Sequence, residues 1–301
     1  MYTKVVVPLD GSRLAEVALP YAEEIAAKMG SDIVLLTVLP SEDGVEYQNH
    51  LAYSRKIVDV TTLQVEKYRQ ISTNHGIKIA TVTRTGNPAE GILDFAEKGY
   101  PSLIVMATHG RSGISRWSVG SVADKVVRAT TRQPMLLIRA KGSHPDVRAK
   151  RILKKALVPL DGSSISEAVI PFISEIARNL QMEITLFQAI PKTNHTYKSV
   201  ATYLRELCRR LGENGVSTGY QIRIGAAADQ IIDYADETAC DLVAMSTRGQ
   251  TAITCGRWAA SPRRYCWAAT PRCSSSGHNP PVFDPANIPT NAFSMIQTCL
   301  F

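Results

Sequence analysis

The sequence predicts an α/β chain made of two tandem copies of one domain. Each copy is a doubly wound, open parallel five-stranded sheet, and the second lacks its last strand. Three observations predict this. A long segment recurs once along the 301 residues. Within each copy, short runs rich in Val, Ile and Leu alternate with amphipathic stretches, as parallel strands covered by helices require. After Thr254 the alternation stops.

The recurrence is residue by residue. Lys4-Val5-Val6-Val7-Pro8-Leu9-Asp10-Gly11-Ser12 returns as Lys155-Ala156-Leu157-Val158-Pro159-Leu160-Asp161-Gly162-Ser163. Glu16 to Tyr21 returns as Glu167 to Phe172, and Gly86 to Ala96 as Gly225 to Ala235. Leu103 to Gly110 returns as Leu242 to Gly249. So wide a spacing is duplication of a whole domain rather than a solenoid.

In the first copy the pattern predicts strands at Lys4–Pro8, Asp32–Leu39, Lys78–Arg84, Leu103–Ala107 and Met135–Arg139. Helices are predicted at Leu14–Met29, Ala52–Asn74, Pro88–Lys98 and Ser121–Ala129, with Gly30, Gly76 and Gly99 where helices should end. The domains read as 1–142 and 153–258, joined by a linker at 143–152 and followed by a tail at 259–301.

Bulk properties exclude several classes. Hydrophobic residues make up 45% and charged residues 20%, a globular composition. The net charge of +7 is scattered, without a basic block interleaved with aromatics, so nucleic acid is not an expected partner. No apolar run approaches the ~18 residues of a bilayer span, so no membrane is expected either. The N-terminus runs directly into a strand, leaving no room for a signal peptide. The six cysteines begin only at Cys208 and show no metal-ligand spacing, so neither a metal site nor a disulfide framework is expected. The chain reads as cytoplasmic.

Two loops can carry chemistry. Pro8-Leu9-Asp10-Gly11-Ser12 follows the first strand. Taken alone, it reads as turn chemistry and a helix cap, although the same carboxylate can hold a ligand at the sheet edge. Gly110 is followed by nine residues and then Gly120-Ser121, which opens a helix. A glycine-bearing loop before a helix N-terminus offers backbone N–H groups and a positive dipole end to phosphate, with no Cβ in the way. Ser121 can cap that helix or donate to phosphate. With the strand order 3-2-1-4-5, adopted from such folds in general, strands one and four are neighbours at the switch point. Both loops then open on one crevice, where open α/β sheets bind ligands.

With the Val-Pro-Leu-Asp-Gly-Ser opening, Met106-Ala107-Thr108-His109-Gly110-Arg111 and Gly120-Ser121-Val122-Ala123-Asp124-Lys125-Val126 in view, the chain resembles the universal stress protein family. The resemblance covers residues 1–139 and roughly 153–254, and implies a Rossmann-like sheet of the adenine nucleotide α-hydrolase type. It is similar to the ATP-binding branch through G-x2-G-x9-G-[S/T], with Ala107 in place of the first glycine. The resemblance implies ATP or a related adenine nucleotide as ligand, with Mg2+ as a companion ion, and a regulatory role in stress response. Asp10 and the backbone of Val38 fall to adenine and ribose, and Pro8, Leu9, Met106, Ala107 and His109 to the nucleotide site as a whole. Gly110, Arg111, Gly120, Ser121 and Val122 fall to the phosphates. His109 lacks a visible partner for base catalysis and Arg248 replaces it in the second copy, so it reads as a loop-structural residue and the chain as no enzyme beyond weak ATP hydrolysis. A non-nucleotide protein-interaction module of the same fold is the alternative.

The second copy keeps a degenerate version of the site: Pro159, Leu160, Asp161, Ala189, Ser246 and Gly249. Beyond Thr254 it has no phosphate loop, last helix or last strand, and its tail has too few periodic apolar positions to fold. A reading-frame shift near Cys255 accounts for this as a hypothesis. Shifted codons turn Cys273-Ser274-Ser275-Ser276 into four apolar residues and, with third bases free, make Ala259–Gly277 parallel Val119–Arg139. The strand Met135–Arg139 is then expected as an open edge inviting self-association as a dimer.

Overall fold

β1 (Lys4–Pro8) takes the centre of the first sheet, and all of it beyond Lys4 is buried, as a strand covered on both faces must be. β2 (Asp32–Leu39) and β4 (Ser102–Ala107) flank it in parallel, with Val6 opposite both Val34 and Ile104. β3 (Ile79–Thr85) and β5 (Met135–Ile138) complete the order 3-2-1-4-5, the arrangement expected. The structure is a computed structural model. It describes residues 2–41, 45–69, 76–98, 102–109, 120–130, 133–139, 151–192 and 197–246, with 268–269 and 297–298.

The helix expected at Leu14–Met29 is two helices, α1 (Arg13–Glu16) and α2 (Leu19–Met29). Ser12 caps α1 by accepting from the Ala15 N–H at 3.2 Å. Pro20 sits in the first turn of α2, where its missing N–H costs nothing. The long helix α3 spans Val45–Arg69, beginning well before the expected Ala52. Its expected end at Asn74 lies outside the described residues, as does Gly99. α4 (Pro88–Glu97) and α5 (Ser121–Ala129) fall close to expectation. Gly30 ends α2 in the left-handed region at φ 69°.

The second copy repeats this with β6 (Lys155–Pro159), α6 (Ser164–Glu167), α7 (Ile170–Leu180), β7 (Glu183–Ile190), α8 (Tyr197–Glu213), β8 (Ser217–Ile224), α9 (Ala227–Thr238) and β9 (Leu242–Val243). Its sheet has four strands, ordered β8-β7-β6-β9. Here Gln181 takes the left-handed helix-ending position at φ 55°. The expected loss of the phosphate loop and last helix falls outside the described residues. Of the tail, two dipeptides are described, β10 (Ala268–Ala269) and β11 (Gln297–Thr298). They pair antiparallel and lie against β5.

The copies share one apolar core. α2 packs on α7, and the Tyr2 ring stacks on Phe172 with centroids 6.2 Å apart. Ile25 and Leu136 of the first copy meet Leu153 and Leu242 of the second along the same seam.

Candidate functional site

β1 and β4 are hydrogen-bonded neighbours, so the loops following them leave the sheet side by side at its carboxyl edge. Pro8 and Leu9 are buried, and the Leu9 N–H still donates to the Leu36 carbonyl at 2.8 Å. The chain then turns. Gly11 adopts φ 79°, and Asp10 Oδ1 accepts the Ser12 N–H at 2.9 Å. Asp10 therefore shapes its own loop while standing half-buried at the crevice. Asp161 does the same in the second copy, accepting from the Ser163 N–H at 2.9 Å and from the Ser163 hydroxyl.

At the end of β4, Met106 and Ala107 are buried, with Ala107 opposite Ile138 of β5. They form the floor rather than the wall. Val38, near the end of β2, is half-buried and packs against α4. A Cβ placed on Gly91 of that helix would come within 2.9 Å of the Val38 methyl.

The loop from β4 to α5 is closed at its base. The Gly120 N–H donates to the Thr108 carbonyl at 2.8 Å. A Cβ on Gly120 would stand 2.7 Å from that carbonyl oxygen, a contact no side chain tolerates. The small residue is thus required by backbone approaching backbone, not only by a phosphate oxygen as the sequence suggested, and its N–H is not available to a ligand. His109 supports this closure. Its Nδ1 lies 3.0 Å from the Thr108 hydroxyl, with its ring beside Gly120.

α5 begins without a side-chain cap. Ser121 is its first residue and is exposed; Gly120 holds the cap position, so Ser121 does not cap the helix. Among the described residues, the N–H groups of Ser121, Val122 and Ala123 carry no hydrogen bond. By contrast α1 is capped by Ser12 and α4 by Asn87, whose Oδ1 accepts from Ala89 and Glu90. The crevice thus offers three orphan amides at the positive end of a helix dipole, suited to an anion. Gly110 and Arg111 lie outside the described residues.

In the second copy, Pro159, Leu160 and Asp161 repeat the first loop, with the Leu160 N–H donating to the Phe187 carbonyl at 2.8 Å. Ala189 is half-buried and Ser246 buried at the matching strand ends. Gly249 lies outside the described residues.

A feature the sequence reading missed stands beside both aspartates. Tyr203 of α8 donates to Glu167 Oε1 at 2.8 Å, and burial with the Glu167 and Asp161 charges holds its phenol far above the usual range. Tyr53 of α3 is raised likewise by burial, Glu16 and Asp10. The signal was present as Glu16/Tyr53 and Glu167/Tyr203 at nearly equal spacing in the two copies. Nearby, His50 Nε2 lies 3.2 Å from the Thr83 hydroxyl and 3.1 Å from the Ser54 hydroxyl.

No described helix is long and apolar enough to cross a membrane, and no described cluster of His, Cys, Asp and Glu could hold a metal ion. Residues 1–139 and 153–256 match the universal stress protein family. A universal stress protein of Methanocaldococcus jannaschii is 31% identical over 147 residues, spanning 46% of this chain and 83% of its own length. A second from the same organism is 25% identical over 162 residues, or 48% of this chain and 98% of its own length. The solved structure of a universal stress protein from Archaeoglobus fulgidus shares the fold at a TM-score of 0.59 and 18% identity. That likeness covers 84% of this chain and 90% of the other. With both copies of its repeat inside the family match, the chain belongs to the universal stress protein family.

Proposed function

We propose that the first copy binds ATP or a related adenine nucleotide, and that the chain acts in the cytoplasm as a binding and regulatory protein of the stress response. The observation that carries this is the uncapped N-terminus of α5, with the amides of Ser121, Val122 and Ala123 left unbonded beside the Asp10 loop. Phosphate suits these donors, which lie at the sheet's switch point. Asp10 and Val38 flank the far side, where a ribose and base would rest. Mg2+ would enter with the phosphates rather than on a protein ligand cluster. The chain's own residues bind and orient; the Thr108–His109–Gly120 closure is structural, so any ATP hydrolysis is slow.

The test is equilibrium binding of labelled ATP to the full chain. Saturable binding is expected, lost in Gly120→Val and weakened in Asp10→Ala, with circular dichroism confirming that both variants fold. Absence of saturable binding in the wild type would instead favour the protein-interaction reading. We also propose self-association through β5. Among the described residues it pairs as a strand with β4 alone, and a second copy of the chain would take the place of the tail dipeptides β10 and β11 that lie against it. Sedimentation across a concentration range should show a dimer.

A further inference from the structure

Glu24 is a carboxylate sealed at the seam between the two copies, with 0% exposure. Its Oε1 accepts the Ile152 N–H at 3.0 Å, and its Oε2 lies 3.1 Å from both the Ile152 and Leu153 amides. Helix α2 of the first copy thereby holds the leader into β6, the central strand of the second. Its hydrogen-bond donors are neutral amides. Two cations bear on it at longer range, Lys28 on its own helix and Arg151 on the leader, whose guanidinium donates to the Gln181 carbonyl instead. Glu23 precedes it on α2. From α3 comes Tyr68, its phenol pushed up to about 12 by burial and by Glu24 and Glu23. α7 meets this seam with Phe172 and Ile173, while its Glu175 bears on Tyr2.

Complete burial disfavours the charged form of this carboxylate, and the amides and the two cations offset that only in part. Opening the seam returns the carboxylate to water, where it needs no proton. The closed arrangement therefore binds a proton more tightly than the open one, and by linkage acidification favours closure. We propose that the junction between the two copies is proton-linked through Glu24, so that taking up a proton draws the copies together and full ionisation loosens them. Burial raises the Glu24 carboxyl above the ordinary carboxylate range, and its amide bonds only partly oppose this. The device is one-sided: Glu175, the matching residue of α7, is only half-buried.

Hydrogen exchange of the Ile152 and Leu153 amides in the full chain tests this, from below the ordinary carboxylate value of 4.5 upward to neutral pH and corrected for the intrinsic rate. Their opening constant should rise with pH, by at most about tenfold per unit, and level off once Glu24 is fully ionised. Glu24→Gln keeps an acceptor oxygen without the charge, and should stay closed with no pH slope. Glu24→Ala should leave both amides exchanging freely at every pH. Glu23→Gln should retain the wild-type slope, because Glu23 interacts with Thr61 and Lys67 of α3. A flat wild-type profile, or an undiminished slope in Glu24→Gln, would overturn the proposal.

Discussion

The two copies solve the same local problems with different residues, and the differences fall where the second copy has drifted from the site. The Asp-Gly-Ser turn is retained in both, down to the hydrogen bond that the serine N–H donates to the aspartate carboxylate. At the wall beside it, Val38 faces Gly91 in the first copy, whereas Ala189 and Gln230 hold the matching places in the second. The branched side chain and the missing Cβ belong together; where one is trimmed the other has grown. Helix α2 ends on Gly30 in the left-handed region, whereas α7 ends on Gln181, a residue that resists that conformation. Shared residues therefore mark the turn, and exchanged residues mark the packing around it.

The comparison can be broken most strongly at Gly120. Gly120→Ala places a methyl against the Thr108 carbonyl and should cost about 1–3 kcal/mol of stability, with at least a tenfold loss of ATP affinity. Thermal unfolding and equilibrium binding read the two effects.

A comparable effect should follow pH through Glu23, which has no carboxylate counterpart in the second copy, where Ser174 occupies its place. Burial raises Glu23 from 4.5 to about 7. The folded state then holds its proton more tightly than the unfolded one. Its contribution is complete below the ordinary carboxylate value and is lost as pH rises towards about 7. The full swing is up to about 3 kcal/mol. Urea unfolding across this window should show stability falling with pH, and Glu23→Gln should flatten the slope.

A double-mutant cycle sharpens the wall comparison. Gly91→Ala should destabilise by about 1 kcal/mol or more through its clash with Val38. In a Val38→Ala background the same change should become stabilising by up to about 1 kcal/mol, because alanine favours helix. The smallest effect is expected at Gln181→Gly, a gain of up to about 1 kcal/mol from relieving the left-handed backbone. Sequencing the gene tests the frame-shift hypothesis. Codons for 259–277 incompatible with a buried helix and strand when shifted by one base would sink it.

The central strands were legible because β1, β2 and β4 are nearly continuous apolar runs; β1 was read to the residue. Helix ends were less so. The break between α1 and α2 follows from Ser12 and Pro20, both visible in the sequence, but the apolar spacing runs through it and masks it. The early start of α3 was hidden because its first turns carry Glu46, Gln48 and Asn49, without the apolar spacing that announces a helix. Asp10 and Gly120 could be picked out as site residues from their motifs. That the Gly120 amide is occupied by Thr108 could not, since it depends on two chain segments meeting in space. The Tyr203–Glu167 bond was obscure for the same reason.

The bond from Gly120 to Thr108 also separates the loop it closes from the sheet that carries it. Ends stapled at a fixed distance make the intervening stretch a replaceable part. Its length and composition can change while β4 and α5 keep their places, because closure entropy grows slowly with length, by about 0.6 kcal/mol per doubling. Ligand preference in this architecture is then free to evolve by exchange of that one segment, while the two staple residues stay fixed.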